Sequence, residues 1–414
     1  MSAWSIVPTA KAQAAVTGPY VDQITYFTTT DESKALGDIS AGITDLYLWR
    51  VPYTLIEKVR GDPNVKLVTA SGGYLSLVFN PAPTNATFNP FSIKAVRQAM
   101  QYLIDRDYII NMLHKGDASP KIFFFGRYDA DYAYVADLGE ALLAKYIYSF
   151  DKANQTVTDA LKAAGAEKGA GGKWSKGGKP VTINAFIRVD DPIRRTVGNL
   201  LATDLEKIGL TVNRIYGDLT KAFDVVYGSD PNDGGWHFYT EGWRSSALTR
   251  YDVNGMPQMY SPYFGNMPGW QEPGYWQYTN ATLDDLGNRF SAGNFTSLDD
   301  RASIMRKALQ VGIEESVRMF IVDQLYRYPY NSRFPSFTYE LAVGTQTPYA
   351  FYTIRDPSAT GPGGTGGGLK VAQKLMYQGA YQPLNPTPDV YSSNILDIVI
   401  DPGVWPDPHT GTYI

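Results

Sequence analysis

The chain has 414 residues, of which 44% are hydrophobic and 19% charged, with a formal net charge of −4 and no cysteine. That length sets two lobes as the expectation, and the mild acidity without a long basic block argues against a nucleic-acid binder. The absence of cysteine excludes disulfides, thiolate metal sites and thiol nucleophiles, and no apolar run reaches the roughly 18 residues of a membrane span.

Residues 1–17 carry Ala12-Gln13-Ala14 but no basic start or full apolar core, so they read as a linker or a signal remnant. Tyr20 to Phe27 suits a strand, Asp31 to Leu36 a short capped helix, Leu55 to Val59 another helix and Val65 to Val68 a strand. From Tyr74 to Phe79 the chain is apolar with high β propensity, and Asn80-Pro81 ends the run. Val96, Ala99, Met100, Leu103 and Ile104 then recur at the spacing of one helical face, and Asp105 can cap a second helix that Gly116 closes. Leu138 to Ile147 and Val157 to Ala164 read as helices.

The glycine-rich stretch Gly169 to Gly178 lacks the Ser or Thr and the first glycine of a phosphate loop, so it reads as a flexible hairpin. Val181 to Ile187 is a strand, and Asp190-Asp191-Pro192 is a helix start. Ile193, Val197, Leu200, Leu201, Leu205 and Ile208 form the expected buried face, and Gly209 ends the helix. Leu210 to Tyr216 and Phe223 to Tyr227 are predicted strands, which makes this segment a right-handed crossover unit. Trp236 to Tyr239 looks like a strand running to a sheet edge, where open α/β sheets bind ligands. Ser297 caps a helix reaching Ile313, Gly361 to Gly368 reads as a linker, and Leu369 to Leu375 as a short helix-like run.

Phe79-Asn80, Val96-Arg97-Gln98-Ala99, Asp105-Arg106 and Ile109-Ile110 stand in the order and spacing of the family 5 extracellular solute-binding proteins, the oligopeptide- and dipeptide-binding components of ABC importers. The chain resembles that family, and Ile208-Gly209-Leu210-Thr211-Val212 is similar to a segment of its second lobe. The resemblance implies an α/β, periplasmic-binding-protein-like fold of the type II (cluster C) kind, with lobes on mixed, mostly parallel sheets. It implies a non-enzymatic, extracellular or membrane-associated protein that needs no cofactor. Its partners would be a small ligand and a membrane permease.

In the resembled family a Gly-Trp pair ends a strand at the interlobe crevice, and Gly242-Trp243 matches it. In peptide-binding members an aspartate three residues later accepts the ligand's ammonium group; here that position is Ser246. Some members carry oligosaccharides, which makes sugar the first expected ligand class and peptide the second. Trp236, Tyr239, Trp243, Trp270, Tyr275 and Trp276 are the candidate stacking platforms, with Glu241, Arg244 and Asp252 as hydrogen-bonding partners. Strand alternation would put Glu241 and Gly242 on opposite faces. Glu241 and Asp252 are also the one carboxylate pair considered for glycoside hydrolysis. Asp230, Asn232 and Asp233 lack the spacing of a calcium loop, and His114, His237 and His409 are scattered. Acceptor sequons at Asn85, Asn154, Asn280 and Asn294 favour an exported glycoprotein.

The expected organisation is 18–79 as part of the primary lobe, 80–337 as the second, ligand-closing lobe, and 338–368 as return strands and linker. Residues 369–414, with Leu384-Asn385-Pro386, resemble the start of the family's primary lobe, which is not seen ahead of Gly18. The expectation is therefore a rearranged chain, or a lobe completed by a second polypeptide. Apolar strand edges would then be exposed near Tyr20 to Phe27 and Ile395 to Ile400. A surface-layer or scaffold glycoprotein on the same fold is the alternative function.

Overall fold

The computed structural model of the chain describes residues 19–51, 53–84, 87–127, 129–244, 252–261, 266–270, 272–376, 389–400 and 403–411. Residues 1–17, Asn85, Ser246, Leu384-Asn385-Pro386 and the side chain of Arg244 lie outside the described set. Nine strands form one sheet: β1 (Gln23–Thr28), β2 (Leu46–Tyr47), β3 (Val65–Phe79), β4 (Ala118–Pro120), β5 (Thr182–Arg188), β6 (Thr211–Gly217), β7 (Phe238–Arg244), β8 (Arg318–Asn331) and β9 (Gly368–Gln373). Their order is β1-β9-β2-β8-β3-β7-β5-β6, with β4 beside β8. The sheet is mixed: β1–β9–β2 and β7–β5–β6 are parallel, and the centre is antiparallel.

β3 and β8 are 15 and 14 residues long and run through both halves of the molecule. Val68 and Ala70 of β3 bury with Tyr326 and Tyr328 of β8. Farther along, Leu75, Leu77 and Phe79 join Met319 to Val322 in the largest core, under the helices. Along this pair the β3–β8 register shifts twice, at Phe320/Val322 and at Gln324/Tyr326. Such bulges bend a strand pair and sharpen its twist.

The main helices are α1 (Glu32–Ser40), α2 (Lys94–Met100), α3 (Ala136–Lys145), α4 (Phe150–Ala163), α5 (Pro192–Ile208), α6 (Ala281–Ser291), α7 (Leu298–Glu315) and α8 (Val390–Leu396). The caps expected from sequence are present: Asp31 on α1, Asp191 on α5 and Ser297 on α7. The buried stripe of α5 is rotated from the expected one. Arg194, Val197, Gly198 and Leu201 face inward, whereas Leu200 is exposed. Gly198 permits this, because a Cβ there would sit 2.8 Å from Thr240 Cγ2.

Several sequence expectations are corrected. Phe223 to Tyr227 is not a strand; it continues the helical turn that starts at Leu219, capped by Asp218. Ala222 and Val226 are buried while Asp224, which would share their face in a strand, is exposed, and this suits a helix and not a strand. The 169–178 hairpin is not loose: Trp174 is buried and its indole donates to Ile208 O. Gly361 to Gly368 is an ordered turn in which Gly366 N donates to Tyr20 O, and Gly363, Gly364, Gly366 and Gly367 take positive φ. Leu369 to Gln373 belongs to a strand, β9, with hydrogen-bonded neighbours on both sides. Ile395 to Ile400 presents no strand edge, since α8 ends there. β1 is an outermost strand, with Phe27 exposed.

β9 is thus paired on both sides by strands of this same chain. Asp45 secures it. This buried carboxylate accepts from Arg333 Nε at 2.9 Å and from the β9 amide of Lys370 at 2.8 Å. Asp45→Ala leaves the Lys370 amide unpaired and Arg333 with Asp356 alone, and should cost about 1–3 kcal/mol in urea unfolding. Hydrogen exchange should quicken across 368–373 more than across β5 and β6.

Candidate functional site

β7 is the scaffold of the site. Its side chains alternate, and Glu241 and Gly242 do point to opposite faces. Gly242 lies against α5, where a Cβ would meet Arg194 Nη2 at 2.5 Å and Tyr74 O at 2.8 Å. On the other face Glu241 meets Arg318 of β8 in a doubly bonded pair, Nε–Oε2 2.9 Å and Nη2–Oε1 3.1 Å. Ser76 donates to the same carboxylate at 3.0 Å and Tyr227 at 3.4 Å. Arg318 also donates to Met259 O and Asn266 O. Burial pulls the Arg318 pKa down, but the facing carboxylate outweighs it and the net shift is upward.

Around the end of β7 lies a cavity of about 550 Å³. Its apolar walls include Trp49, Tyr74, Phe124, Trp243, Trp270 and Tyr326. Tyr239, Glu241, Gly242 and Asp252 also line it. Arg188 and Arg194 come from the end of β5 and the start of α5, and Asp389 and Tyr391 from the start of α8. This cavity lies beyond the C-terminal ends of parallel strands, where α/β sheets place ligands.

The expected site residues therefore divide. Trp243, Tyr239, Glu241, Asp252 and Trp270 come together around one space. Trp236 does not join them; it is sealed among Val78, Phe186, Ala222 and Val226. Trp276 packs on Met267, Tyr278 and Val317, and the Tyr275 hydroxyl is bonded to Gly228 O. Glu241 is held by Arg318, so it supplies neither a free acceptor for an amine nor one member of a hydrolytic pair. Asp252 accepts from the amides of Asn254 and Gly255. Asp230 clips its own loop to Trp276 N, and no cluster of three metal-ligating acids or histidines occurs among the described residues. Among the sequons, Asn154 lies inside α4, the Asn280 side chain caps α6, and Asn294 is exposed in a loop.

A family model described as bacterial extracellular solute-binding proteins, family 5 (middle), matches residues 13–264. The chain belongs to this family. It is 24% identical over 236 residues to the oligopeptide-binding protein AppA of Bacillus subtilis, a match covering 57% of this chain and 40% of AppA. The fold is shared with the AppA structure solved with a nonapeptide (TM-score 0.59, 18% identity, 79% of this chain and 59% of that one). It is shared equally with NikZ of Campylobacter jejuni in complex with Ni(L-His) (TM-score 0.59, 19% identity, 78% and 60%). The chain thus spans less than two thirds of the length of these relatives. No helix among the described residues is long and apolar enough to cross a membrane.

Sequence reasoning passed over Arg188, Arg194, Trp49, Arg318 and the α8 residues as members of this candidate site. Arg194 left a signal, a charge in register with the buried stripe Val197, Gly198 and Leu201. The others left none, because their proximity depends on strand order.

Gly242→Ala should drive the Arg194 guanidinium from its seat, destabilising the fold by about 1–3 kcal/mol of overpacking as read by urea midpoint. Buried His237 accepts from Asn184 N through Nδ1, and burial lowers its pKa to about 4. The unfolded chain therefore takes up the proton first, and stability is lost as pH falls from about 6.5 toward about 4. His237→Asn, which keeps an acceptor for that amide, should remove roughly 2–3 kcal/mol of this pH dependence in paired urea titrations.

Proposed function

We propose that this family 5 protein captures a small peptide-like solute outside the cell and presents it to the membrane permease of an ABC importer. The observation that carries the reading is the aromatic-walled cavity of about 550 Å³ at the end of β7. Its size falls in the range of about 300–1,000 Å³ usual for small-molecule sites. The long strands β3 and β8 cross between the halves of the molecule and offer the bend for closure of one half on the other. Trp243 is the proposed platform, its ring 5.8 Å from the Arg318 guanidinium carbon, which holds it in place.

Peptide stands ahead of oligosaccharide because one group first assigned to sugar hydroxyls and one assigned to stacking are engaged elsewhere. Glu241 is bonded on both oxygens and Trp236 is off the cavity. AppA, described as oligopeptide-binding, supports the same preference.

A thermal-shift screen tests this. A di- or tripeptide at about 100 times its Kd should add roughly 2.7 kcal/mol of stability, with no product formed. Trp243→Ala should weaken binding about tenfold or more. Stabilisation by neutral oligosaccharides alone, or by neither class, would overturn the peptide assignment.

A further inference from the structure

We infer that the lysine-rich hairpin of residues 162–180 is a docking surface for an anionic lipid bilayer, at the end of the molecule opposite the cavity. The segment carries five lysines (Lys162, Lys168, Lys173, Lys176 and Lys179) against one acid, Glu167. Its four surplus positive charges, set against −4 for the whole chain, leave −8 on the rest. All of these lysines but Lys176 are exposed. None is in an ion pair: the lysines that meet carboxylates among the described residues are Lys34, Lys94, Lys121, Lys207 and Lys374. Lys162 also sits in the last turn of α4, where a cation suits the helix dipole, but the other four have no such structural use.

The hairpin holds these ammonium groups in an ordered array. Its short strands Glu167–Lys168, Trp174–Lys176 and Lys179–Pro180 pair in that order. Trp174 anchors them: besides the indole bond to Ile208 O, its amide donates to Gly209 O at 2.9 Å. Lys168 Nζ lies 5.5 Å from the Trp174 ring and Lys176 Nζ 4.0 Å from that of Phe88, while Lys173 Nζ donates to Leu210 O at 3.4 Å. Rings and a carbonyl orient an ammonium without neutralising it, so the charge stays available to an outside anion. Acids on α4 and α5 at this end are committed elsewhere: Glu206 to Arg214, Asp204 to Lys207 and Asp159 to Gln155.

Two features favour a bilayer over a soluble polyanion. Gly171, Gly172, Gly177 and Gly178 are exposed, and a Cβ at any of them would meet nothing within 4 Å, so a flat surface can come down onto the bare backbone between the lysines. Ile147, 67% exposed, and Tyr148 stand at the same C-terminal end of α5 to which Trp174 is bonded: the Tyr148 hydroxyl donates to Asp204 at 3.3 Å. An exposed aliphatic side chain and a tyrosine beside lysines make an interfacial contact. The position also suits the cavity. β5 begins just after the hairpin, at Thr182, and ends at Arg188 on the cavity wall, about 20 Å away at the rise of a strand. A bilayer at the hairpin thus leaves the cavity open to solute.

Binding is read by flotation of the full chain with vesicles of phosphatidylcholine, alone or mixed with phosphatidylglycerol, and by retention on a heparin column. Wild type should float with the mixed vesicles at low ionic strength, stay behind with the neutral ones, and be released at about 0.5 M salt, where screening is nearly complete. The combined variant Lys168→Gln, Lys173→Gln and Lys179→Gln should bind about a hundredfold more weakly, at roughly fivefold per lysine. Its melting curve should stay native, because all three side chains are exposed. The same change at Lys34, Lys58 and Lys66, exposed around α1 and the start of β3, alters net charge equally and should leave flotation nearly unchanged. Ile147→Ser should weaken vesicle binding severalfold and leave heparin retention as it was. Failure of wild type to float with anionic vesicles, or equal loss in the two triple variants, overturns the inference. Retention on heparin without flotation also overturns it and assigns the hairpin to a soluble polyanion. Solute capture is read separately by the thermal-shift screen and stands or falls on that.

Discussion

The buried Arg318–Glu241 pair is the interaction on which the rest of the site depends. Two charges withdrawn from water are tolerated only if each is fully matched, and here every strong donor and acceptor of the pair is used. One bond set therefore fixes β8 against β7, β7 against β3 through Ser76, and the carbonyls of Met259 and Asn266 against Arg318. The same closure explains why Glu241 does no ligand chemistry. Its oxygens hold the wall of the cavity in place, and Trp243 stands on that wall.

The opposite face of β7 is governed by a different constraint, close approach. Gly242 and Gly198 let α5 settle so near the strand that the Arg194 guanidinium lies against the backbone. A glycine that ends a strand beside a tryptophan is thus explained by the helix packed behind it. The helix cap at Asp191 contributes to the same place, since the carboxylate that starts α5 is also the one that Arg50 and Arg194 share.

The C-terminal part of the chain joins fold and site. β9 enters between β1 and β2 and is held by Asp45, and α8 follows it to the cavity with Asp389 and Tyr391. Strand pairing and cavity lining meet directly in this segment: the side chain of Gln373, the last residue of β9, donates to Tyr391 O at 3.1 Å.

Local chemistry made much of this legible. Capping aspartates and serine, the Asn80-Pro81 stop, the Gly209 terminator and the spacing from Phe79 to Ile110 are short-range signals, and they gave the helices, many of the strands, the family and the place of Trp243. Where short-range signals were ambiguous the reading erred: the apolar run Phe223 to Tyr227 suits either period, and Leu369 to Gln373 becomes a strand only because two neighbours are there to bond it. The glycines of 361–368 are composition typical of a linker, yet a contact with Tyr20 orders them. Sequence by itself thus determined the element types, the family and the aromatic end of β7. Only the tertiary structure decided that Glu241 is spent on Arg318, that Trp236 is sealed away and that Arg194 and Tyr391 share one cavity. Those outcomes depend on strand order and on which charges meet across long separations, and no local pattern encodes either.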